Sequence, residues 1–379
     1  MQPNTTTQPN ALNDSAAGPY KVNSLRIDPQ ADPMAGVVSW DPWRSLWNGG
    51  MLIGAIVLAP RYFTWGAFAV FLVLLEFTMC TGHSVGFHRR LIHRTFQCPK
   101  WLERLLVWSG TLVGMQGPFW VIQSHDFRDW AQRQPNCHPY LRHGQGRLKD
   151  AFWNLHCRLK LQHPPGFDPG PGIGDDPFYR FLQRTWMLQQ LPIAIVLYAI
   201  GGMPWLVWGV CVRVTTGVSM HWFVGYICHS HGPQSWIVNQ GAIQAHNVPW
   251  AAIPSMGESW HNNHHAFPAS ARHGVYPGQI DLGYQFVLLL GRMDAGQRTW
   301  RRQHDQVAFA CTFRDRAGGG LRGGSGFRHL PGEHHRQHDM VLDGDPGRPA
   351  HAQRRVEGRP EARLLLSQHQ LNADIRGRA

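Results

Sequence analysis

The chain has 379 residues, of which 43% are hydrophobic and only 16% charged, so disorder throughout is excluded. Its formal charge of +12 is carried largely by arginine in the C-terminal tail and in loops beside apolar runs, and nucleic acid is not expected as a partner. Seven cysteines, an odd number scattered without a CxxC pair, exclude a disulfide scaffold and zinc-ribbon spacing.

Residues 1–40 are polar, lack an apolar period and are expected to form a flexible N-terminal segment with no signal peptide. A charge-free stretch follows from Ser45 to Pro60, then an apolar one from Tyr62 to Gly82 broken only by Glu76. A membrane-spanning helix needs about 20 apolar residues, so the first stretch is marginal and the second sufficient. Their short link predicts a membrane hairpin. Leu105–Ile122 is mildly apolar but carries Gly110, Gly114, Gly117 and Pro118, and is expected to be interfacial or buried rather than spanning. Pro164–Pro177 reads as a loop, dense in Pro, Gly and Asp. Trp186–Gly201 and Pro204–Tyr226 predict a second hairpin, turned at Gly201-Gly202-Met203-Pro204, with Arg213 inside its second arm facing protein or a cavity. Glu76 offers itself as a partner for Arg213, although helix packing explains it more simply.

Four spans leave residues 83–184 and 229–290 on one side of the membrane. Arg89, Arg90, Arg94, Arg180 and Arg184 lie close to the spans on that side, which the positive-inside rule makes cytoplasmic. The expected fold is therefore an all-α integral membrane protein, with four transmembrane helices in two hairpins and a cytoplasmic helical domain. The expected divisions are residues 1–40, a catalytic unit at 41–290 and an Arg-, Gly- and His-rich tail at 291–379. That tail has no amphipathic period and no lysine, which suggests a disordered extension or the product of a frame change.

Histidines cluster on the same side. The first group, His83, His88 and His93, directly follows the second span. The second is His125-Asp126-Phe127-Arg128-Asp129, with His138 and His143 downstream. The third is Glu258-Ser259-Trp260-His261-Asn262-Asn263-His264-His265, and His221 and His229 end the fourth span. Imidazole suits iron, zinc, copper and nickel. On an α-helix His261 neighbours both His264 and His265, so the three can present nitrogens to a metal pair. His88 and His93, five apart, fit one face poorly and suggest different metals or an irregular helix. Isolated His156, His163 and His246 are expected to be surface or packing residues.

The motifs His88-x4-His93-Arg-Thr-Phe, His125 and Glu258-Ser-Trp-His261-x-x-His264-His265-Ala-Phe-Pro, in this order around two hairpins, resemble the membrane fatty-acid desaturases, specifically the acyl-CoA delta-9-like group and its bacterial relatives. The resemblance covers roughly residues 40–290. It implies a di-iron centre on the cytoplasmic face that uses O2 and two electrons to remove two hydrogens from adjacent methylenes of a fatty acyl-CoA or acyl-lipid. It implies metal ligands at His88, His93, His125, His261, His264 and His265, with a further one at His229. The family's second box reads H-x-x-H-H; here Arg128 and Asp129 replace its last two histidines. A guanidinium stays protonated and cannot ligate, whereas the Asp129 carboxylate can. His138 or His143 offers a substitute ligand. Gly225 stands where the family often has asparagine.

An unactivated methylene has no acidic proton, so the oxidation must rest on metal chemistry, with the protein positioning substrate and excluding water. Asp126, Asp129, Glu258, Asn262 and Asn263 are candidates to orient the imidazoles through their second ring nitrogen. No electron-transfer domain is evident, so a separate ferredoxin or b-type cytochrome with its reductase is the expected donor. The rival expectations are a hydroxylase or other di-iron oxygenase on the same scaffold, a membrane zinc hydrolase, and a degenerate non-catalytic relative.

Overall fold

The computed structural model describes residues 24–238, 241 and 243–293, with the backbone of short strand segments between residues 310 and 342. The rest of the expected tail, and residues 1–23 of the N-terminal segment, lie outside the described residues.

The described chain is mostly helical, but not all-α. It begins with two strands, β1 (Leu25–Arg26) and β2 (Gly36–Trp40). Helix α1 (Pro42–Leu58) starts where the Asp41 side chain accepts from Arg44 N at 3.1 Å, with Pro42 in the first turn, where its missing N–H costs nothing. Helix α2 (Trp65–Phe77) is capped by Thr64, whose hydroxyl accepts from Ala67 N at 3.0 Å. It continues without a break into a π-helical stretch, Thr78–Ile92. Together they form one apolar run, Trp65–Ile92, long enough to cross a membrane.

Helix α3 (Lys100–Thr111) lies against the π stretch at backbone distance. A Cβ on Gly82 would sit 2.4 Å from Ser109 O, and one on Gly86 2.3 Å from Leu106 O. Only glycine admits that approach. A turn leads to α4 (Pro118–Gln132). Leu105–Ile122 is thus half of α3, a turn and the start of α4, with Val107, Leu112 and Val121 buried, in keeping with a buried segment.

Helix α5 (Arg147–His156) gives way to β3 (Cys157–Leu161), which pairs antiparallel with β2, and β4 (Gly166–Phe167) pairs with β1. Residues 24–40, expected to be flexible, are therefore a strap across the folded chain. Val37, Val38 and Trp40 suit a strand, but their partners lie more than a hundred residues away, where no local pattern reveals them.

Helix α6 (Pro177–Thr185) precedes a second apolar run, Gln190–Cys228, made of α7 (Gln190–Leu206), π turns at Val207–Val212, and α8 (Arg213–Cys228). The run reverses at Gly202, whose φ of 61° and ψ of −154° break the helix. Arg213 Nη2 donates to Gln190 Oε1, although these residues would stand about 34 Å apart along a straight helix. The turn expected at Gly201–Pro204 is therefore present. At the same end of the molecule, Trp208 Nε1 donates to Ala59 O at 3.2 Å, next to the turn between α1 and α2. Arg213 is fully buried and donates to Gly209 O at 2.7 Å and to Leu112 O, so backbone and amide oxygens, not Glu76, satisfy it. Ile53, Ile56, Trp65, Val73, Ile195 and Ile200 point outward from these helices and are exposed.

A short strand, β5 (Trp236–Val238), pairs with the backbone of Ala310–Phe313. Helix α9 (His261–Ala266) carries the third histidine group, and α10 (Leu282–Met293) packs Val287 against Val85 and Phe96.

Candidate metal centre

In the π stretch each N–H reaches the carbonyl five residues back, and His93 N donates to His88 O at 3.0 Å. The spacing that fits an α-helix poorly therefore brings the two rings together edge to face, with Nε2 atoms 3.1 Å apart. From α4, His125 brings its Nε2 to 3.3 Å from His93 Nε2, while its Nδ1 lies 3.2 Å from Asp126 Oδ1. From α9, His264 faces both His88 and His93, at ring-centroid distances of 4.5 and 4.6 Å. One ligand atom from each of these four residues lies within 4.8 Å of the others.

A second group forms beside the first. His229, at the end of α8, and His261 and His265 on α9 also bring ligand atoms within 4.8 Å of one another. His261 and His265 face each other through Nε2 atoms 3.1 Å apart, as i and i+4 on a helix allow. His264, between them in sequence, points to the first group instead. Asp129 Oδ1 lies 4.0 Å from His265 Nε2.

Arg128 turns away. Its guanidinium meets His143 Nε2 at 2.5 Å and donates to Asn154 Oδ1 at 2.8 Å. His143 stacks on His229 at 5.8 Å and is anchored through Nδ1 to the buried Asp150, 2.8 Å away. A Cβ at Gly225 would meet His143 Nε2 at 3.2 Å, so the missing side chain there leaves room for the imidazole that engages Arg128. His143 does fold back to the site, but as a neighbour of His229. His138 does not; its Nδ1 accepts from Tyr140 N and its ring packs on Trp153.

Glu258 forms the floor. It accepts from Ser84 Oγ and Arg89 Nη1, each at 2.6 Å, and abuts the Nδ1 edge of His88. Arg89 also donates to Asp281 Oδ1 at 2.8 Å, and His273 completes a further group with His88 and Glu258. Asn262 and Asn263 fix the backbone around α9: Asn262 bridges Trp236 and Ala245, and Asn263 donates to His273 O. The sequence expectations missed Arg89, His273 and Asp281. A charged residue inside a buried apolar stretch is the signal for Arg89; the other two carry no local signal.

The electrostatics favour ligation. Burial pushes His229, His264 and His265 well below the usual imidazole pKa, and His261 down to about 4, so these rings are neutral at pH 7. Burial lowers His125 too, but Asp129 and Asp126 outweigh it and raise the net value. Burial works to raise Asp129, yet His125 and Arg133 hold it well below the carboxylate range. His264 is 1% exposed and neither ring nitrogen has a hydrogen-bond partner, a cost of about 1–3 kcal/mol per group unless a ligand is bound. The nitrogen separations of 3.1 and 3.3 Å also fit. Metal–nitrogen bonds of about 2.1 Å place neighbouring ligands about 3.0–3.4 Å apart between octahedral and tetrahedral angles. The residues present therefore fit a metal centre.

Beside the imidazoles lies a cavity of about 410 Å³, reaching from His88, His125, His229 and His261 to Met79, Phe87, Trp120, Val218 and Met220. The structure thus combines apolar helices long enough to cross a membrane with histidine groups able to hold a metal and an adjoining cavity. The family model described as fatty acid desaturase matches residues 63–275. The chain is 34% identical over 273 residues to the chloroplastic palmitoyl-monogalactosyldiacylglycerol delta-7 desaturase of Arabidopsis thaliana, covering 67% of this chain and 69% of that one. It is 34% identical to the sn-1 stearoyl-lipid 9-desaturase of Anabaena variabilis, over 64% of this chain and 87% of that one. It is 32% identical to an acyl-CoA 5-desaturase of Anemone leveillei, over 65% and 79%. The chain belongs to the fatty acid desaturase family, and is an oxidoreductase of fatty acids.

Proposed function

We propose that this chain inserts a double bond into the long-chain acyl group of a lipid or acyl-CoA, using iron held by the two histidine groups. The observation that carries the proposal is the convergence of seven imidazoles from the π stretch, α4, α8 and α9 on two adjoining positions beside a cavity. His88, His93, His125 and His264 would hold one iron; His229, His261 and His265, with Asp129, would hold the other. Bound iron supplies the oxidising power, with O2 and two electrons, that no side chain has toward an unactivated methylene.

The chain's own residues do the positioning. Glu258 and Asp126 engage the Nδ1 edges of His88 and His125, which turns their Nε2 atoms toward the metal position. Met79, Phe87, Val218 and Met220 give the cavity apolar walls that align an acyl chain and keep water from the oxidised carbons. Two hairpins, α1 with α2 and α7 with α8, would form four spans, with the outward-facing Ile53, Val73 and Ile195 meeting lipid. Arg90, Arg94, Arg180 and Arg184, close to the spans, support a cytoplasmic face for the metal centre. Residues 41–290 are the catalytic unit, residues 1–40 and 291–379 flank it, and a separate ferredoxin or b-type cytochrome with its reductase supplies electrons.

The test is expression of the full chain in a host lacking its own desaturase, with fatty acids resolved by gas chromatography–mass spectrometry. A new monounsaturated acid, lost in a His264→Ala variant, is expected. An unchanged profile, with protein in the membrane and reductant supplied, would overturn the proposal.

A further inference from the structure

Two histidines on the cavity wall belong to neither metal position. His83 lies five residues before His88 in the π stretch, the spacing that puts both on one face. Its ring runs nearly parallel to that of His88, with 18° between the planes and 6.5 Å between centroids. His221 on α8 meets His83 edge to face, with centroids 4.7 Å apart. Both rings line the cavity. Among the described residues, neither falls in a group of three or more able to hold a metal. The sequence sets each in apolar company: Met79 and Phe87 stand four residues either side of His83, Val218 and Met220 precede His221, and all four line the cavity. Nδ1 of His83 is buried without a hydrogen-bond partner.

We infer that His83 and His221 form a binding site for a hydroxyl group carried on the acyl chain, so that the substrate class is a hydroxylated fatty acyl chain in place of a plain hydrocarbon one. The inference rests on the reading of the cavity as the acyl site in the proposed function. A hydrocarbon chain offers nothing to an imidazole. Seated against these rings it would keep water away and leave the buried Nδ1 of His83 unpaired, which disfavours the complex. A neutral imidazole has one donor and one acceptor nitrogen, and a hydroxyl both donates and accepts, so two adjoining rings can hold it through two hydrogen bonds. A pocket built to bond a hydroxyl in this way discriminates against the analogue that lacks it, because its own polar groups are then left unpaired. The near-parallel packing of His83 on His88 sets the hydroxyl site beside the first metal position. The hydroxyl then lies within a few carbons of the methylenes to be oxidised.

The test uses the iron-loaded full chain in lipid discs with oxygen excluded, so that binding is read without turnover. Stearoyl chains, plain or with one hydroxyl at successive mid-chain carbons, are presented as CoA thioesters and as glycerolipid esters. They compete against a fluorescent acyl analogue, with empty discs as the blank. At least one hydroxylated chain is expected to bind about tenfold tighter than the plain chain, the order that two neutral hydrogen bonds supply. His83→Leu and His221→Leu should each loosen that chain and tighten the plain one, and shifts of opposite sign cannot come from misfolding. His83→Asn, which keeps a donor and an acceptor, should retain part of the preference. Plain stearoyl binding as tightly as every hydroxylated chain, or an unchanged preference in either leucine variant, would overturn the hydroxyl site and leave the cavity as an acyl site. No displacement by any chain would overturn both.

Discussion

Replacing Glu258 by glutamine tests how the second layer of residues holds the metal ligands. Glu258 Oε1 accepts from Ser84 Oγ and from Arg89 Nη1, both at 2.6 Å, while its other oxygen abuts His88 Nδ1 and lies 3.6 Å from His273 Nδ1. A glutamine NH2 must face one of these sides, and each presents donors when His88 ligates through Nε2. Either orientation sets donor against donor. Loss of such a partner typically weakens metal affinity 10–100-fold, or about 1.4–2.7 kcal/mol. The fully buried Arg89 would also lose half its countercharge, keeping Asp281 at 2.8 Å. Breaking a buried pair outright costs about 3–5 kcal/mol, and the surviving partner places Glu258→Gln near the lower end of that range. The assay is iron retention against a competing chelator, with thermal unfolding of the metal-free protein. Iron affinity within twofold of wild type and an unchanged melting temperature would refute the reasoning.

Gly86→Ala places a Cβ 2.3 Å from Leu106 O, so the π stretch and α3 must separate; a loss of about 1–3 kcal/mol is expected in thermal unfolding. Burial works to raise the Glu103 carboxyl, but Arg90, Lys100 and Tyr179 outweigh it and hold its folded pKa below the usual value. Its contribution is therefore present above about pH 4.3, the unfolded value, and is lost as pH falls through the lower folded pKa. Glu103→Gln should melt lower than wild type at pH 7, and the gap should narrow toward pH 3. Stripping iron with a chelator should lower the melting temperature and re-addition restore it, since a ligand at about 100 times its dissociation constant stabilises by about 2.7 kcal/mol. A Cys80→Ala variant should leave iron content unchanged, because that thiol is in neither histidine group; iron loss measured by mass spectrometry would contradict this.

The parts legible in the sequence were those with local causes. Apolar runs marked the long helices, and Gly202 marked the reversal because a positive φ needs a residue without a Cβ. The α9 triplet was legible from helical spacing, but its division was not. His264 faces the first group and His261 and His265 the second, since neighbouring helical positions diverge by about 100°. His88 and His93 were poorly matched because the expected period was 3.6; the π stretch widens it and brings i and i+5 together. The strap of residues 24–40 and the Arg89–Glu258–Asp281 network depend on partners more than a hundred residues away, beyond any local pattern.

The most direct measurement is the mass of the product made by the iron-loaded chain from a fully deuterated long-chain acyl substrate, with O2 and a chemical or enzymatic reductant. The expected product has lost two deuterium atoms from adjacent carbons, has gained no oxygen, and does not form without iron or O2. An added oxygen atom would make the chain a hydroxylase on the same scaffold. Hydrolysis of the acyl ester without O2, or zinc in place of iron, would contradict the account.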